Sequence, residues 1–399
     1  MLRVLAITKI FPNAAEPLSA PFNRQQFSAL ASRCELHVMG TIPWFPGAGL
    51  LGRWSSAGRL GAVPMRETIE GIEVTHPRTL FVPKLAHATW GPLYAASIAP
   101  WLRRYRGEVD VVLGSWAYPD GFAAVIAAKL LGLPCVVKLH GSDVNVIAKL
   151  PGPRRLTSWA LPQATRVVAV SRALGEAAVA LGVPRERIDI VMNGVDAELF
   201  HPRDRAAARA ELALPIDAPI ALYVGNLKTE KGVVDLAAAW QAVSRELPEA
   251  VLVVVGDGPA RATLHAARTD QMRLVGAHPL DDIPLFMAAA DILVLPSHAE
   301  GTPNVVLEAL ACGRRVVATS VGGIPDLISS DQLGALVPPH QPEVLATALV
   351  TALRTPYDPD AVARLGARGG WDASAAALHA VLVSAANGSV RGRDAAAAR

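Results

Sequence analysis

Residues 291–313 read DILVLPSHAEGTPNVVLEALACG, and the fold class turns on how this stretch is parsed. Asp291 to Ser297 is a short apolar run without alternation, the pattern of a parallel strand buried on both faces. Thr302 is placed to cap a helix whose first residue is Pro303, where a missing amide hydrogen costs nothing. That helix runs to Ala311 and stops at Gly313, a residue suited to a left-handed C-terminal cap. Its first amides, at Asn304 and Val305, then point into the crevice at the strand's end, where the helix dipole favours an anion such as a diphosphate. Glu300 falls in the loop before the helix and Glu308 inside it, about 8 Å along the axis from Pro303. One carboxylate is thereby placed to face a sugar and the other to hold a ribose. A random pair of glutamates at this spacing is more often two solvated surface groups. The end of a buried strand and an apolar helix, with Glu308 between Leu307 and Ala309, favour a site.

A chain of 399 residues has room for two or three domains, each with a large core. Apolar residues at 51% and charged residues at 18% exclude disorder for most of it. No uninterrupted apolar run approaches the roughly 18 residues of a membrane span. The start, MLRVLAITKIFPN, is interrupted by Lys9 and reads as a strand rather than a signal peptide, so a cytoplasmic location is expected. Cys34, Cys135 and Cys312 are scattered and odd in number, which argues against a disulfide framework or a zinc site and for reduced, buried thiols. Charge is uneven: residues 1–200 carry 21 Lys and Arg against 14 Asp and Glu, and residues 201–399 carry 17 against 21. Part of the basic excess lies in Trp90 to Arg106, where aromatics adjoin arginines. That stretch is a candidate for resting on an anionic membrane surface, which would place the protein peripherally on the inner face of the plasma membrane. Pro100 argues instead for an ordinary packed helix with a solvated basic end.

Buried-strand signals recur at 3–8, 35–39, 110–115, 134–139 and 166–171, and again at 220–225, 251–256, 273–276, 291–296 and 315–319. Nearly every one precedes a helical pattern, which implies parallel sheets covered on both faces. Ten strands are too many for one tidy sheet, so the expected class is α/β with two doubly wound Rossmann-like domains facing each other across a cleft. The first domain is expected over 1–202 and the second over 203–356. Helices in 357–386 would pack back on the first domain, and the low-complexity tail 387–399 would fray. The Gly-, Pro- and Trp-rich loop from Ile42 to Pro64 is long enough for a mobile binding element.

Several motifs in a fixed order then carry a resemblance. They are HGSD at 140–143, NGVD at 193–196 with Phe200 and Pro202, GNLKTEKG at 225–232, GDGP at 256–259, and the glutamate segment. Together they resemble the retaining glycosyltransferases of family 4 (glycosyl transferases group 1), of GT-B architecture, over almost the whole chain. The start, with TKIFPN at 8–13 and FNRQQ at 22–26, is similar to members acting in cell-surface polysaccharide assembly. The resemblance implies an acceptor role for the first domain and a donor nucleotide-sugar role for the second. It implies that Lys231 binds the donor diphosphate, a task suited to a flexible ammonium at a strand-to-helix turn. Asn226 stands where the family often has arginine, leaving Lys228 or the helix amides to compensate. Asp257 would brace its loop or touch the nucleotide, and Val275 and its neighbours would meet the base through backbone groups. Glu308 would accept from the ribose hydroxyls, Glu300 would contact the sugar, and His140 would lie near the transferred sugar. Asp143 would orient His140 or contact acceptor, with Arg24 also on the acceptor side. SerAlaProPhe at 19–22 lacks the glycine common where the acceptor approaches.

The implied reaction moves a hexose from a nucleoside diphosphate sugar to a glycan or lipid-linked acceptor hydroxyl with retained configuration. No Asp-x-Asp motif is positioned for a divalent cation, and Asp281 with Asp282 reads as a polar turn before a helix, so neither metal nor cofactor is expected. Two other classes compete: a sugar-nucleotide epimerase of the same fold, and a non-catalytic nucleotide-sugar-binding partner. A dehydrogenase is disfavoured because no Gly-x-Gly-x-x-Gly follows the first strand. No nucleic-acid-binding module is present.

Overall fold

The computed structural model describes residues 1–17, 19–45, 56–80, 87–367 and 369–397. It divides into two compact units, Met1–Asn193 with Trp371–Arg399, and Gly194–Gly370. The middle of the loop expected to be mobile, residues 46–55, lies outside the described residues.

The first unit is built on strands β1 (Arg3–Thr8), β2 (Glu35–Gly40), β3 (Ile42–Trp44), β4 (Arg66–Ile69), β5 (Ile72–Thr75), β6 (Arg78–Leu80), β7 (Val111–Ser115), β8 (Cys135–Leu139), β9 (Arg166–Ala169) and β10 (Ile188–Ile190). Eight of them form one sheet in the order β10-β9-β8-β7-β1-β2-β5-β4, and β3 pairs with β6 separately. All pairs in the large sheet are parallel except β4 with β5. Strand side chains alternate between two cores. Leu5, Ile7, Val112 and Val137 pack with helix Phe122–Leu131 on one face, and Val4, Ala6, Val111 and Val136 pack with Phe27 and Leu378 on the other. Coverage on both faces is why the central strands β1, β7 and β8 are mostly apolar.

The second unit holds β11 (Ile220–Val224), β12 (Val251–Val255), β13 (Met272–Gly276), β14 (Ile292–Leu295), β15 (Arg315–Thr319) and β16 (Gly334–Val337). They form an all-parallel sheet in the order β13-β12-β11-β14-β15-β16. The ten expected strands are present; the short strands β3 to β6, β10 and β16 were not foreseen.

Three expectations need correction. The division falls at Asn193, not after Pro202, because Val195 pairs with Gly370 and Phe200 is buried within the second unit. Of the C-terminal helices only the last, Trp371–Ala397, belongs to the first unit, where Ala375, Leu378, Leu382 and Ala385 form one buried stripe. Helix Pro359–Gly366 stays in the second unit, packed so closely on helix Asn304–Ala311 that a Cβ at Gly366 would stand 2.6 Å from Leu310 Cβ. The tail does not fray at 387: the helix continues to Ala397, as alanine's high helix propensity allows. The basic stretch forms helix Trp90–Ile98 and the 3-10 segment Ala99–Tyr105, with Tyr94, Ile98 and Leu102 buried in the core. Among the described residues no helix is long and apolar enough to cross a membrane.

The central strand β14 of the second unit is anchored electrostatically. Asp291 accepts from Arg209 Nη2 at 2.8 Å, from the Ile220 amide at 2.7 Å and from Arg205 Nη1 at 2.6 Å. Arg209 is 1% exposed and spends its other donors on the carbonyls of Ala289, Ile216 and Ala218. Removing one partner strands a buried charge, so Arg209→Ala is expected to lower the unfolding free energy of this unit by about 3–5 kcal/mol. Urea unfolding measures this, and an unchanged midpoint would contradict the anchoring role.

Candidate functional site

In the second unit strand order reverses between β11 and β14, the topological switch point where doubly wound sheets open a crevice at the strands' carboxyl ends. The turn after β11 ends in a 3-10 segment, Thr229–Lys231, followed by Gly232 at φ 67°. A Cβ at Gly232 would stand 1.8 Å from the Pro296 carbonyl oxygen, so only glycine lets this turn lie on the end of β14. Beyond β15, Gly322 at φ 56° approaches equally closely, its would-be Cβ 2.0 Å from the Glu300 carbonyl oxygen. These contacts set Lys231 Nζ 2.7 Å from Glu300 Oε1, which also accepts from Ser297 Oγ at 2.7 Å. The two residues expected to serve diphosphate and sugar are thus brought together as an ion pair, with the Glu300 side chain 9% exposed.

The helix that follows is Asn304–Ala311, and its N-cap is Pro303 with no side-chain cap. This corrects the expectation that Thr302 caps a helix beginning at Pro303: Pro303 has extended backbone (φ −74°, ψ 113°), which puts Thr302 one residue too early. Asn304 and Val305 do open the first turn. Gly313 is left-handed, as expected, at φ 74°. Glu308, further along, is half-buried, has no hydrogen-bond or ion-pair partner among the described residues, and its carboxyl is pushed by burial up to about 7.

Other expected donor residues surround this crevice less closely. Asn226 is exposed, and its carbonyl accepts from Tyr223 Oη at 3.0 Å. Lys228 stands 3.9 Å from Glu230 and is about half exposed. Asp257 accepts from the Gly258 amide at 2.7 Å and from Arg261 Nη1 at 3.1 Å, a bracing role that leaves its side chain on its own turn. Val275 lies where the β12–β13 register slips: Leu274 pairs with Val254 and Gly276 with Val255, leaving Val275 outside the ladder.

In the first unit the order reverses between β1 and β7, and a second polar cluster occupies that point. Ser115 Oγ donates to Asn23 Oδ1 at 2.9 Å and lies 2.9 Å from His140 Nε2. With the serine proton directed to Asn23, His140 Nε2 is the donor of the second bond. Burial, reinforced by Lys138, holds the His140 imidazole well below its ordinary pKa, so it is neutral at neutral pH. Its ring lies between Trp116 (centroids 5.6 Å apart, 24° between planes) and Phe22 (5.0 Å).

The two expected acceptor-side residues are engaged within the unit. Asp143 is fully buried and accepts from the amides of Ala117 (2.8 Å), Gly141 (2.7 Å), Val144 (3.1 Å) and His140 (3.2 Å), so it braces the loop rather than meeting a ligand or the imidazole. Arg24 pairs with Glu70 at 3.6 Å, whose other oxygen accepts from Ser28, so the arginine is turned to the β4–β5 corner of the sheet. Two further residues beside this cluster were not singled out by sequence reasoning. Trp116 holds φ 136°, a conformation costly for a side-chain-bearing residue, and its buried indole nitrogen has no hydrogen-bond partner among the described residues. Asp120 is fully buried and accepts from the Lys9 amide with Oδ1; burial pushes its carboxyl up to about 7. The signal for both was the polar break WAYPDG at 116–121, immediately after a buried strand.

Comparison with known proteins follows the same lines. Residues 218–355 match the glycosyl transferases group 1 family and residues 50–199 match glycosyltransferase family 4. A Bacillus subtilis strain 168 protein assigned to teichuronic acid biosynthesis as the glycosyltransferase TuaC is 32% identical over 355 residues, spanning 87% of this chain and 88% of the relative. The D-inositol 3-phosphate glycosyltransferase of Thermobispora bispora is 36% identical over 312 residues, spanning 70% and 71%. Among solved structures, Anabaena HepE in complex with UDP and glucose is similar with a TM-score of 0.67 at 20% identity, spanning 99% of this chain and 100% of that one. That similarity extends the two-Rossmann fold to the whole chain.

The glycine-free segment at 19–22 has a structural counterpart: Ala20 sits at φ 45°, ψ 57°, ahead of helix Pro21–Ala31. A left-handed alanine costs about 1–2 kcal/mol, partly offset by the entropy a glycine would lose. Ala20→Gly is therefore expected to stabilise the first unit by up to about 1 kcal/mol in thermal unfolding. A clear loss of stability would mean that the methyl group packs.

Proposed function

This chain belongs to the group 1 glycosyltransferases, and we propose that it is a retaining, metal-independent enzyme moving a hexose from a nucleoside diphosphate sugar to an acceptor hydroxyl in cell-surface glycan assembly. The observation that carries this reading is the 2.7 Å Lys231–Glu300 contact at the switch point, with a helix start four residues beyond Glu300. A diphosphate entering this crevice finds the Lys231 ammonium and the amides of Asn304 and Val305, which would meet the charge of the leaving group without a divalent cation. Its arrival competes with Glu300 for Lys231, and so releases the Glu300 carboxylate toward the sugar hydroxyls and the developing positive charge at the anomeric carbon.

In a front-face transfer the bond from the anomeric carbon to the diphosphate oxygen breaks, and the bond to the acceptor oxygen forms on the same face. The acceptor's proton passes to the departing phosphate oxygen, so no separate protein base is required. We assign His140, as a neutral imidazole, to hydrogen bonding with a sugar hydroxyl. A nucleoside diphosphate donor is supported by HepE, whose structure contains UDP, and assembly of a surface glycan by the assignment of TuaC.

Glu300→Gln should lower kcat by about 100-fold or more while the donor Kd stays within about threefold, because the lost contact acts in the transition state. Equal turnover in the variant would remove Glu300 from the mechanism.

Glu308 generates a pH prediction. Its folded pKa of about 7 lies above the ordinary 4.5, so its contribution to the stability of the free protein is complete below pH 4.5 and is lost as pH rises through about 7. Ribose hydroxyls donate to the ionised form, so donor affinity should rise with pH across the same window. In Glu308→Gln the affinity should be weaker and flat between pH 6 and 8, as read by isothermal titration. A wild-type affinity that falls with rising pH would contradict the ribose assignment.

A further inference from the structure

Beside the Glu300 turn, three metal-ligating side chains from separate segments of the second unit meet. Asp235 comes from the first turn of helix Val233–Glu246, His298 from the turn between Ser297 and Glu300, and His340 from the connection that enters helix Pro342–Arg354. Their ligand atoms all lie within 4.8 Å of one another. His298 Nε2 is 2.8 Å from Asp235 Oδ2, His340 Nδ1 is 3.9 Å from the same oxygen, and the two imidazole centroids are 3.8 Å apart.

We propose that Asp235, His298 and His340 form a binding site for a divalent transition-metal ion of the zinc class, and that its occupancy fixes the turn carrying Glu300. Two imidazole nitrogens and one carboxylate oxygen select zinc, cobalt or nickel over magnesium or calcium, which take oxygen sets. Metal–ligand bonds of about 2.0–2.1 Å in a tetrahedral site place ligand atoms about 3.3 Å apart. Two of the distances already bracket that value. Closing the rest asks a movement of His340, whose side chain is 65% exposed and whose ring lies against that of His298.

Ligation by both imidazoles would splay the two rings apart from their present close approach. His340 also holds a left-handed backbone, φ 59°, a conformation histidine tolerates better than most residues but still an uncommon one. Three protein ligands leave one position for water.

The link to Glu300 runs through the backbone. The His298 amide donates to the Glu230 carbonyl at 3.0 Å, so the turn bearing Glu300 and the turn bearing Lys231 are tied at the residue that would ligate the ion. Binding would exchange the His298–Asp235 hydrogen bond for metal bonds and restrain both turns. The site stands independently of the transferase reading; its effect on turnover rests on that reading. The ion lies outside the diphosphate position, so basal transfer proceeds without it.

The test uses the full chain, stripped with chelator, and zinc chloride or cobalt chloride as probes. Equilibrium dialysis with metal analysis should find one tightly held zinc per chain, and thermal unfolding should shift upward with zinc. Cobalt should give visible absorption of a nitrogen- and oxygen-ligated ion. His340→Gln and Asp235→Asn should each weaken zinc binding by about tenfold or more and lose the cobalt spectrum, while retaining metal-free stability and basal transfer. Equal zinc stoichiometry and equal thermal shift in wild type and His340→Gln would overturn the site. If zinc is held and lost as expected but turnover is identical with and without it, the coupling to Glu300 is overturned and the site stands. These metal measurements need no sugar donor, so their failure is distinct from failure of the proposed activity.

Discussion

Two carbonyl oxygens, those of Pro296 and Glu300, stand where side chains at 232 and 322 would otherwise be. Every feature of the second unit's crevice depends on that proximity. The turn after β11 can lie against the end of β14 only because residue 232 has no Cβ, and the turn after β15 can cover Glu300 only because residue 322 has none. With both turns in place, a lysine and a glutamate that are distant in sequence become an ion pair. The parallel sheet sets where strand ends fall, the reversal of strand order leaves an opening between them, and the glycines let backbone close over it. Strand β14 in turn is held at its other end by the buried Arg209–Asp291 contact, so the site is fixed from the opposite end of that strand.

The two glutamates have opposite electrostatic situations, and this separates their chemistry. Glu300 is nearly buried but accepts from Lys231 and Ser297, which makes it a carboxylate with its charge already balanced. The Glu308 side chain is half-buried without a partner among the described residues, and burial raises its pKa. A paired carboxylate responds to an arriving anion by giving up its cation. An unpaired one responds to arriving hydroxyl donors by ionising. One ligand that carries both a diphosphate and a ribose changes both groups at once, and this is why the segment reads more coherently as a nucleotide-sugar site than as an acid–base pair.

The two-unit α/β class was legible because buried parallel strands are short unbroken apolar runs, and ten of these stood out from residue 3 to residue 319. Edge strands such as β4 and β10 were not, since they mix polar and apolar residues and take their structure from their neighbours. Lys231, Glu300 and Asn304 could be located because each sits at a turn or helix start that the sequence marks, and Glu308 because it interrupts an apolar helix. Asp143 was misread: a carboxylate after HisGlySer looks available, yet folding turns it inward onto four amides. Asn23 and Phe22, beside Arg24, reach the His140 cluster, and which side chains of that helix do so depends on packing that the sequence does not mark. The His298–Asp235–His340 cluster had no sequence signature at all, its ligands being separated along the chain.

The first unit shows how a buried cation can organise a neutral site. Lys138, on β8, is 1% exposed, donates to Gln26, and lies 3.4 Å from Asn193 Oδ1. Gln26 Nε2 donates to Ser374 Oγ at 2.9 Å, and that hydroxyl donates to the Met192 carbonyl at 2.7 Å. Asn193 and Ser374 stand close to the two points where the chain leaves and re-enters this unit, so one amine and one amide side chain secure both. Burial pushes the Lys138 amine down to about 7. Its field adds to the burial of His140 two residues on, which disfavours the imidazolium. The group that ties the chain crossings to the sheet is thus also one that keeps the histidine uncharged, a donor and acceptor of hydrogen bonds rather than a proton carrier.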